Sequence, residues 1–453
     1  MMKEKNLLLI SANQHTDPYP VYPIGLSYLS TYLKEHLTDF NIFLSDLNFN
    51  TIEELKKNIT KINPKYIGIS FRNIDDVNSI NKKFFVTQYK KIIDQIKTVS
   101  HAKIIIGGSG FSIFPELMFK TLEPNFGIYG EGEDTLLKLI QKLENNTDYS
   151  ELSRLVYKNN GQCIFNKDES YFSDLTLNFE DQLLDFYWKK SGMLNVQTKR
   201  GCPYNCIYCT YPLIEGRKVR TLNTDKIVET LKNLYYQKGI DYIFFTDSVF
   251  NINNKYNYEL AEKIIASGIK INWGGYFTFT HLDENLLKIL KKSGLKHIEF
   301  GTEAISDTTL KAYGKNFTVN DVIEKSALCN KLEIDYAHFL ILGGYGETDQ
   351  TLNETFENSK RIENSVFFPY VGMRIYPGTK LQQYAIQEGI IDKKDDLFEP
   401  KYYLAKNIDF DSLKHRANQT GRRWVFPDED TTIITNKLRE KNKKGPLWEY
   451  MTI

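Results

Sequence analysis

The sequence predicts an α/β protein made of two successive strand–helix alternations, and three observations carry that prediction. Short apolar runs alternate with amphipathic helical stretches from residue 5 to about 145, the rhythm stops over a polar segment at 146–190, and it restarts at 194 and runs to about 391. Such alternation is the pattern of a parallel sheet whose crossover connections are helices. With 453 residues, 41% hydrophobic and 25% charged, the chain is long enough for two or three cores and has the composition of an ordinary globular protein.

In the first alternation strands are expected at 7–12, 42–46, 66–71, 103–106 and 126–129, and helices at 24–36, 52–59, 84–99, 117–121 and 135–143. Ligands of such sheets bind outside the carboxyl ends of the strands. The residues just past each strand therefore carry the functional information: Ala12 and Asn13, Leu47 and Asn48, Arg72 and Asn73, Gly107-Gly108-Ser109-Gly110, and Gly130-Glu131-Gly132-Glu133. Glycines behind a buried strand remove the side chains that would keep a flat ligand off the backbone, and service in tight turns is the competing reading. The apolar run at 7–10 is too short for a secretory segment and reads as the first strand. No stretch approaches the roughly 20 apolar residues that span a bilayer, so a cytoplasmic location is expected, which also suits reduced thiols.

The polar segment 146–190 reads as a linker with a hairpin at 155–165 turning at Asn159-Asn160-Gly161 and a packing patch at Phe186-Tyr187-Trp188. In the second alternation strands are expected at 194–199, 242–246, 270–276, 297–301, 336–342 and 368–375. Helices are expected at 224–237, 258–267, 283–293, 307–312, 319–330 and 349–363. Polar groups again cluster at the strand ends: Asp247-Ser248, Gly301-Thr302-Glu303, Gly343-Gly344-Tyr345-Gly346-Glu347 and Arg374. Residues 392–453 lose the rhythm and close with a charged helix at 430–444.

Three of the five cysteines, Cys202, Cys206 and Cys209, fall in one CxxxCxxC loop after the first of these strands. A structural zinc would want a fourth Cys or His ligand, which the loop lacks. A four-iron cluster on three thiolates leaves one iron open for chemistry. Chance thiols or a disulfide are the competing reading, which clustering in a reducing compartment argues against.

This loop resembles the cluster-binding loop of the radical S-adenosylmethionine (SAM) superfamily, CxxxCxΦC with an aromatic residue, here Tyr208, at Φ. The resemblance implies that Cys202, Cys206 and Cys209 hold a 4Fe–4S cluster, that Tyr208 contacts SAM in the reacting site, and that the second alternation forms a partial (β/α)6 barrel with its chemistry at the carboxyl ends. Carboxylates suit the hydroxyls and ammonium of SAM, and arginine suits its carboxylate. By the same resemblance Glu303 takes the ribose or amino group and Arg374 the carboxylate. Asp247, Ser248 and Glu347 line the cofactor, and Gly343 and Gly344 admit backbone to the adenine. Hydrogen bonds that only close the barrel are the competing reading for each.

The first alternation resembles the N-terminal cobalamin-binding domain of one class of radical SAM enzymes, a Rossmann-like, flavodoxin-like fold. The resemblance rests on Tyr22-Pro23-Ile24-Gly25-Leu26 and on the clusters at 107–110 and 130–133. It implies cobalamin contacts at Asn13, Arg72, Asn73, Gly107, Gly108, Ser109, Gly110, Gly130, Glu131, Gly132 and Glu133. Many cobalamin domains carry DxHxxG, whose His ligates cobalt; here Asp46-Leu47-Asn48-Phe49-Asn50 offers none. Cobalamin without a His ligand is implied, with Arg72 beneath the corrin as a catalytic group; an ion pair from Arg72 to Asp75 or Asp76 is the alternative.

The expected organisation is thus a cobalamin domain at 1–145, a linker at 146–190, a radical SAM barrel at 191–391 and a substrate-covering extension at 392–453. The implied reaction carries a methyl group from SAM through methylcobalamin to an unactivated carbon, less readily to phosphorus, of a small-molecule, lipid or peptide substrate. An electron donor such as flavodoxin or ferredoxin is implied with it, under anaerobic conditions. The alternatives are rearrangement or cyclisation without methyl transfer, and a non-catalytic iron–sulfur module, which the missing fourth cysteine disfavours. A methylthiotransferase is disfavoured because 1–162 contain no cysteine. A net charge of +1 from 58 basic and 57 acidic residues provides no field for polyanions, so no nucleic-acid partner is expected.

Overall fold

The computed structural model describes residues 5–16, 18–167, 175–406 and 408–451. The chain divides into two compact units, one comprising Met1–Asp76, Phe84–Tyr187 and Tyr211–Gly216, the other Val77–Lys83, Trp188–Thr210 and Arg217–Ile453.

The first unit is built on β1 (Lys5–Ser11), β2 (Phe40–Asp46), β3 (Tyr66–Ser70), β4 (Lys103–Gly107), β5 (Phe126–Ile128), β6 (Leu155–Asn159) and β7 (Gln162–Phe165), in the order β2-β1-β3-β4-β5-β6-β7. The first five strands run parallel and the last two antiparallel. An order of 2-1-3-4-5 is flavodoxin-like, with its switch point between β1 and β3. Leu7, Leu8 and Leu9 are wholly buried, as a central strand covered by helices on both faces requires.

The linker expectation at 146–190 is corrected here. Leu155 and Val156 are fully buried, so β6 and β7 extend the sheet beyond β5, turning through Asn160 and Gly161, both at positive φ. A helix at Asp181–Ser191 follows, and its Tyr187 hydroxyl donates to the buried Asp46 carboxylate at 2.9 Å. The unit therefore continues to Tyr187 because its apolar edge needs cover; residues 168–174 of that segment lie outside the described residues.

The second unit holds β8 (Leu194–Val196), β9 (Lys199–Arg200), β10 (Arg220–Thr221), β11 (Tyr242–Phe245), β12 (Asn272–Phe277), β13 (Leu295–Glu303), β14 (Asp335–Leu342), β15 (Ser365–Val371), β16 (Met373–Arg374), β17 (Tyr402–Tyr403) and β18 (Arg423–Trp424). The parallel sheet β8-β11-β12-β13-β14-β15-β18 is open, and two short antiparallel ribbons, β9–β10 and β16–β17, stand outside it. The expected strands at 194–199 and 368–375 each break in two; the second breaks at Gly372, whose φ of 74° suits glycine.

The extension at 392–453 divides, which corrects its expected role as a cover for the active site. Its first part pairs β17 with β16, and Ala405 donates to the Gly343 carbonyl at 2.8 Å, both at the carboxyl end of the sheet. Its last part goes to the opposite end. Trp448 packs on Ala337 and Val366, and its Nε1 donates to Glu299 Oε1 at 3.1 Å. Tyr242 and His297 meet there with Glu449, the Tyr242 hydroxyl lying 2.7 Å from His297 Nδ1. Among the described residues no helix is long and apolar enough to cross a membrane.

Candidate active site

The cysteine loop leaves the sheet through β9 and is fixed mainly by its backbone. Ile207 N donates to the Tyr313 carbonyl at 3.1 Å, and Ile207 O accepts from Leu381 N at 2.9 Å. Arg217 donates to Asn205 Oδ1 at 2.8 Å, and Ser248 Oγ donates to the Gly201 carbonyl at 3.1 Å. Cys202 is buried, Cys206 and Cys209 are half-buried, and none of the three is in a disulfide. Among the described residues no three His, Cys, Asp or Glu side chains converge where one metal ion would sit. Thiolates sharing a single zinc stand about 4 Å apart; a cubane spreads its ligands over separate irons. Three thiols on one pinned loop are a donor set that a cubane accepts, one thiolate to each of three irons.

Asp247 was expected to line the cofactor, but it is wholly buried and faces the root of this loop. Its carboxylate accepts from the amides of Thr198 and Lys199 at 2.6 and 2.9 Å, and it pairs with the Lys199 ammonium at 3.0 Å. That ammonium also donates to Asn257 at 3.0 Å and stands over the Phe250 and Tyr256 rings. Burial pulls the Lys199 pKa down, and Asp247 opposes it. Breaking such a buried pair costs about 3–5 kcal/mol, so Asp247 acts as an anchor beneath the cysteines.

Glu303 stands where β13 changes register against β14, Gly301 facing Phe339 and Glu303 facing Leu340. The bulge puts Glu303 at φ 66°, a conformation that re-aims its side chain and that few non-glycine residues adopt. Its Oε1 accepts from the Tyr208 hydroxyl at 2.7 Å and from the Lys315 ammonium at 3.2 Å. Lys315 also donates to the Gly301 carbonyl at 3.2 Å. Burial, Glu303 and the neighbouring cysteines hold the Tyr208 hydroxyl well above its usual pKa. Burial alone would lower Lys315, but Glu303 and the cysteines raise it, so it stays an ammonium. The structure thus joins two expected residues, Tyr208 and Glu303, directly, and adds a third at the same carboxylate oxygen, Lys315, that sequence reasoning missed. The signal was the run Tyr313-Gly314-Lys315: Tyr313 O takes Ile207 N, and a Cβ on Gly314, at φ 74°, would stand 2.7 Å from the Asn205 carbonyl.

At the end of β14 the Glu347 carboxylate accepts from Gly343 N, while Gly344 N donates to the Tyr313 hydroxyl at 3.1 Å. Glu347 Oε1 is buried without a hydrogen-bond partner, and burial pushes this carboxyl up to about 8. The expected reason for the two glycines is corrected: a Cβ on Gly344 would lie 2.3 Å from the Tyr313 hydroxyl, and one on Gly343 2.8 Å from Leu404. They are glycines because protein already fills the space. Arg374, expected to take the SAM carboxylate, is also redirected. It is buried and donates to the carbonyls of Ile375 and Leu397 at 2.6 and 2.8 Å, which ties residues 397–398 to the strand end.

In the first unit the strand ends beside the switch point carry unused polar atoms. Asn13 and Asn48 each have a buried amide oxygen with no hydrogen-bond partner. Arg72 is exposed just past the end of β3. Its charge is felt at the Tyr89 hydroxyl. Ser109 Oγ donates to the Arg72 carbonyl at 2.7 Å, and the Asn73 carbonyl accepts from Tyr89 at 2.6 Å, so these two shape the loop. The glycines again serve packing. A Cβ would lie 2.6 Å from Phe71 O on Gly108, 3.1 Å from the same atom on Gly110, 3.1 Å from Ile128 O on Gly107 and 2.8 Å from Arg154 on Gly130; only Gly132 has ordinary room. Glu133 is buried, and Glu131 lies at the same turn. Orphan acceptors and an exposed arginine at a switch point fit a large polar cofactor such as cobalamin.

Comparison with known proteins gives two family matches: the radical SAM superfamily over residues 196–358 and the B12-binding domain over residues 11–140. The chain is 26% identical to an uncharacterized methyltransferase of Pyrococcus horikoshii, over 82% of this chain and 79% of that protein. It is 25% identical to an anaerobic magnesium-protoporphyrin IX monomethyl ester cyclase of Cereibacter sphaeroides, over 74% of this chain and 55% of that protein. Its fold matches TsrM, a radical SAM methyltransferase from Kitasatospora setae solved with cobalamin and a 4Fe–4S cluster. The TM-score is 0.87 at 18% identity, covering 99% of this chain and 97% of that one.

Proposed function

The chain belongs to the cobalamin-dependent radical SAM enzymes, and on that premise we propose that it is a methyltransferase, moving a methyl group from SAM by way of cobalamin to an unactivated carbon. The observation that carries this reading is the three-cysteine loop of Cys202, Cys206 and Cys209 in the same chain as a flavodoxin-like sheet with Arg72 exposed and the Asn13 and Asn48 oxygens unpartnered at its switch point. When bound, the cluster and SAM supply hydrogen abstraction from carbon and the corrin supplies the methyl group. The protein's own part is placement. Cys202, Cys206 and Cys209 would hold the cluster, with Asp247, Tyr313 and Leu381 fixing their loop. Tyr208 and Glu303 present a hydroxyl and a carboxylate together toward SAM, while Ser248 and Glu347 follow the carboxyl ends of β11 and β14. Arg72 offers the corrin a fixed charge without a ligating nitrogen lone pair, since a guanidinium is donor-only.

A low-potential one-electron carrier of the flavodoxin or ferredoxin type is the proposed electron source. A reducing compartment such as the cytoplasm suits five free cysteines. Acceptors among small molecules, lipids and peptides are compatible with the fold. Cyclisation or rearrangement without methyl transfer is the second reading, supported by the likeness to the cyclase.

The test needs no substrate. Enzyme reconstituted anaerobically with iron, sulfide and hydroxocobalamin, then reduced and given methyl-labelled SAM, should place label on its corrin. Unlabelled corrin with 5'-deoxyadenosine formation would favour the second reading. The Cys202→Ala, Cys206→Ala, Cys209→Ala triple variant should lose the cluster's visible absorption, and a triple variant that still binds iron would overturn the ligand assignment.

A further inference from the structure

Lys315 is a buried cation placed among anions. Its side chain is 9% exposed, and its ammonium lies 3.2 Å from both Glu303 Oε1 and the Gly301 carbonyl. The carboxylate oxygen it grips is the one that receives the Tyr208 hydroxyl, and the ammonium stands 5.9 Å from the centre of the Tyr208 ring. Tyr208 sits in the chain between Cys206 and Cys209, and both cysteines join Glu303 in favouring the charged form of this ammonium. In so dry a setting a unit charge acts more strongly than in water.

We propose that Lys315 is a positioning residue that sets the reduction potential of the cluster on Cys202, Cys206 and Cys209: its fixed charge stabilises the one-electron-reduced cluster, and it holds Glu303 against Tyr208. The proposal rests on the cluster reading above. Reduction adds one electron from a low-potential carrier, no bond at Lys315 forms or breaks, and the ammonium keeps its proton throughout. Removing the charge should shift the equilibrium about tenfold toward the oxidised cluster, which for one electron is a midpoint about 59 mV lower. Removing the Glu303 charge should shift it the other way.

The experiment is an EPR-monitored redox titration, without SAM, of the reconstituted full-length protein and its Lys315→Met, Lys315→Arg and Glu303→Gln variants. The expected order of midpoints is Lys315→Met lowest, Lys315→Arg near wild type and Glu303→Gln highest. A Lys315→Met protein with a full cluster and the wild-type midpoint would overturn the proposal. Should Lys315→Met fail to fold or load, Glu303→Gln decides, and an unchanged or lower midpoint there overturns it as well. A wild type that takes up no cluster would instead overturn the cluster reading, and with it this one.

Discussion

Glu303 and Glu347 are both carboxylates at strand ends, yet their surroundings give them opposite characters. Glu303 is matched by an ammonium and a hydroxyl. Glu347 has one buried oxygen without a hydrogen-bond partner, and burial pushes its carboxyl up to about 8, so that it holds a proton at neutral pH. A carboxyl whose folded pKa exceeds its unfolded value contributes stability that is complete below about 4.5 and is lost as pH rises through about 8. In the cofactor-free protein, Glu347→Gln should therefore melt close to wild type at pH 5 and increasingly above it toward pH 9, a gap of a few kcal/mol at most. A pH-independent gap would mean that Glu347 ionises normally. The sequence marked the cysteines, Tyr208 and Glu303 as candidates, and the structure sets Tyr208 against Glu303. Sequence reading misled at Asp247 and Arg374, because a charged residue past a strand reads the same whether it faces a ligand or a neighbouring backbone.

At the scale of elements, the cluster loop has almost no regular structure of its own and borrows order from three others. The stretch Tyr313-Gly314-Lys315 supplies one carbonyl, one close approach and one charge, and it does so only because Gly314 tolerates φ 74° with Asn205 pressed against it. Gly314→Ala brings left-handed strain of about 1–2 kcal/mol together with a clash. It should loosen the loop while sparing the rest of the unit, seen as faster iron release to a chelator with little change in melting. Equal release rates would show that the loop does not depend on this contact. The glycines at 107–110 and 343–344 carry the same lesson: their positions were readable as special, but whether ligand or protein occupies the space beside them depends on residues such as Phe71 and Tyr313, far away in the chain. The tail at 447–451 could not be placed from sequence at all, since its seat consists of Ala337, Val366 and Glu299, each unremarkable within its own strand.

For the molecule as a whole, two parallel sheets were expected and two are present, with the flavodoxin-like order in the first unit and the barrel strands in chain order in the second. The changes are at the margins: a hairpin added to the first sheet, a seventh strand added to the second and a boundary moved to Tyr187. If the first unit is a cobalamin carrier, protein produced with hydroxocobalamin should hold about one corrin per chain, and Arg72→Ala should change the corrin's visible spectrum or its rate of methylation by SAM. Protein that stays corrin-free would defeat the methyltransferase reading, and an unaltered Arg72→Ala enzyme would remove Arg72 from beneath the corrin.

The sequence by itself determined the two α/β alternations, the three-thiol loop and the strand ends at which ligands would sit, because periodicity, cysteine spacing and glycine placement are local properties. Only the tertiary structure decided which charged groups face each other: Asp247 against Lys199, Lys315 against Glu303, and Arg374 against the carbonyls of 397–398. Pairing energies depend on distance and burial, and the partners here are separated by 48, 12 and 23 residues, beyond the reach of any local pattern.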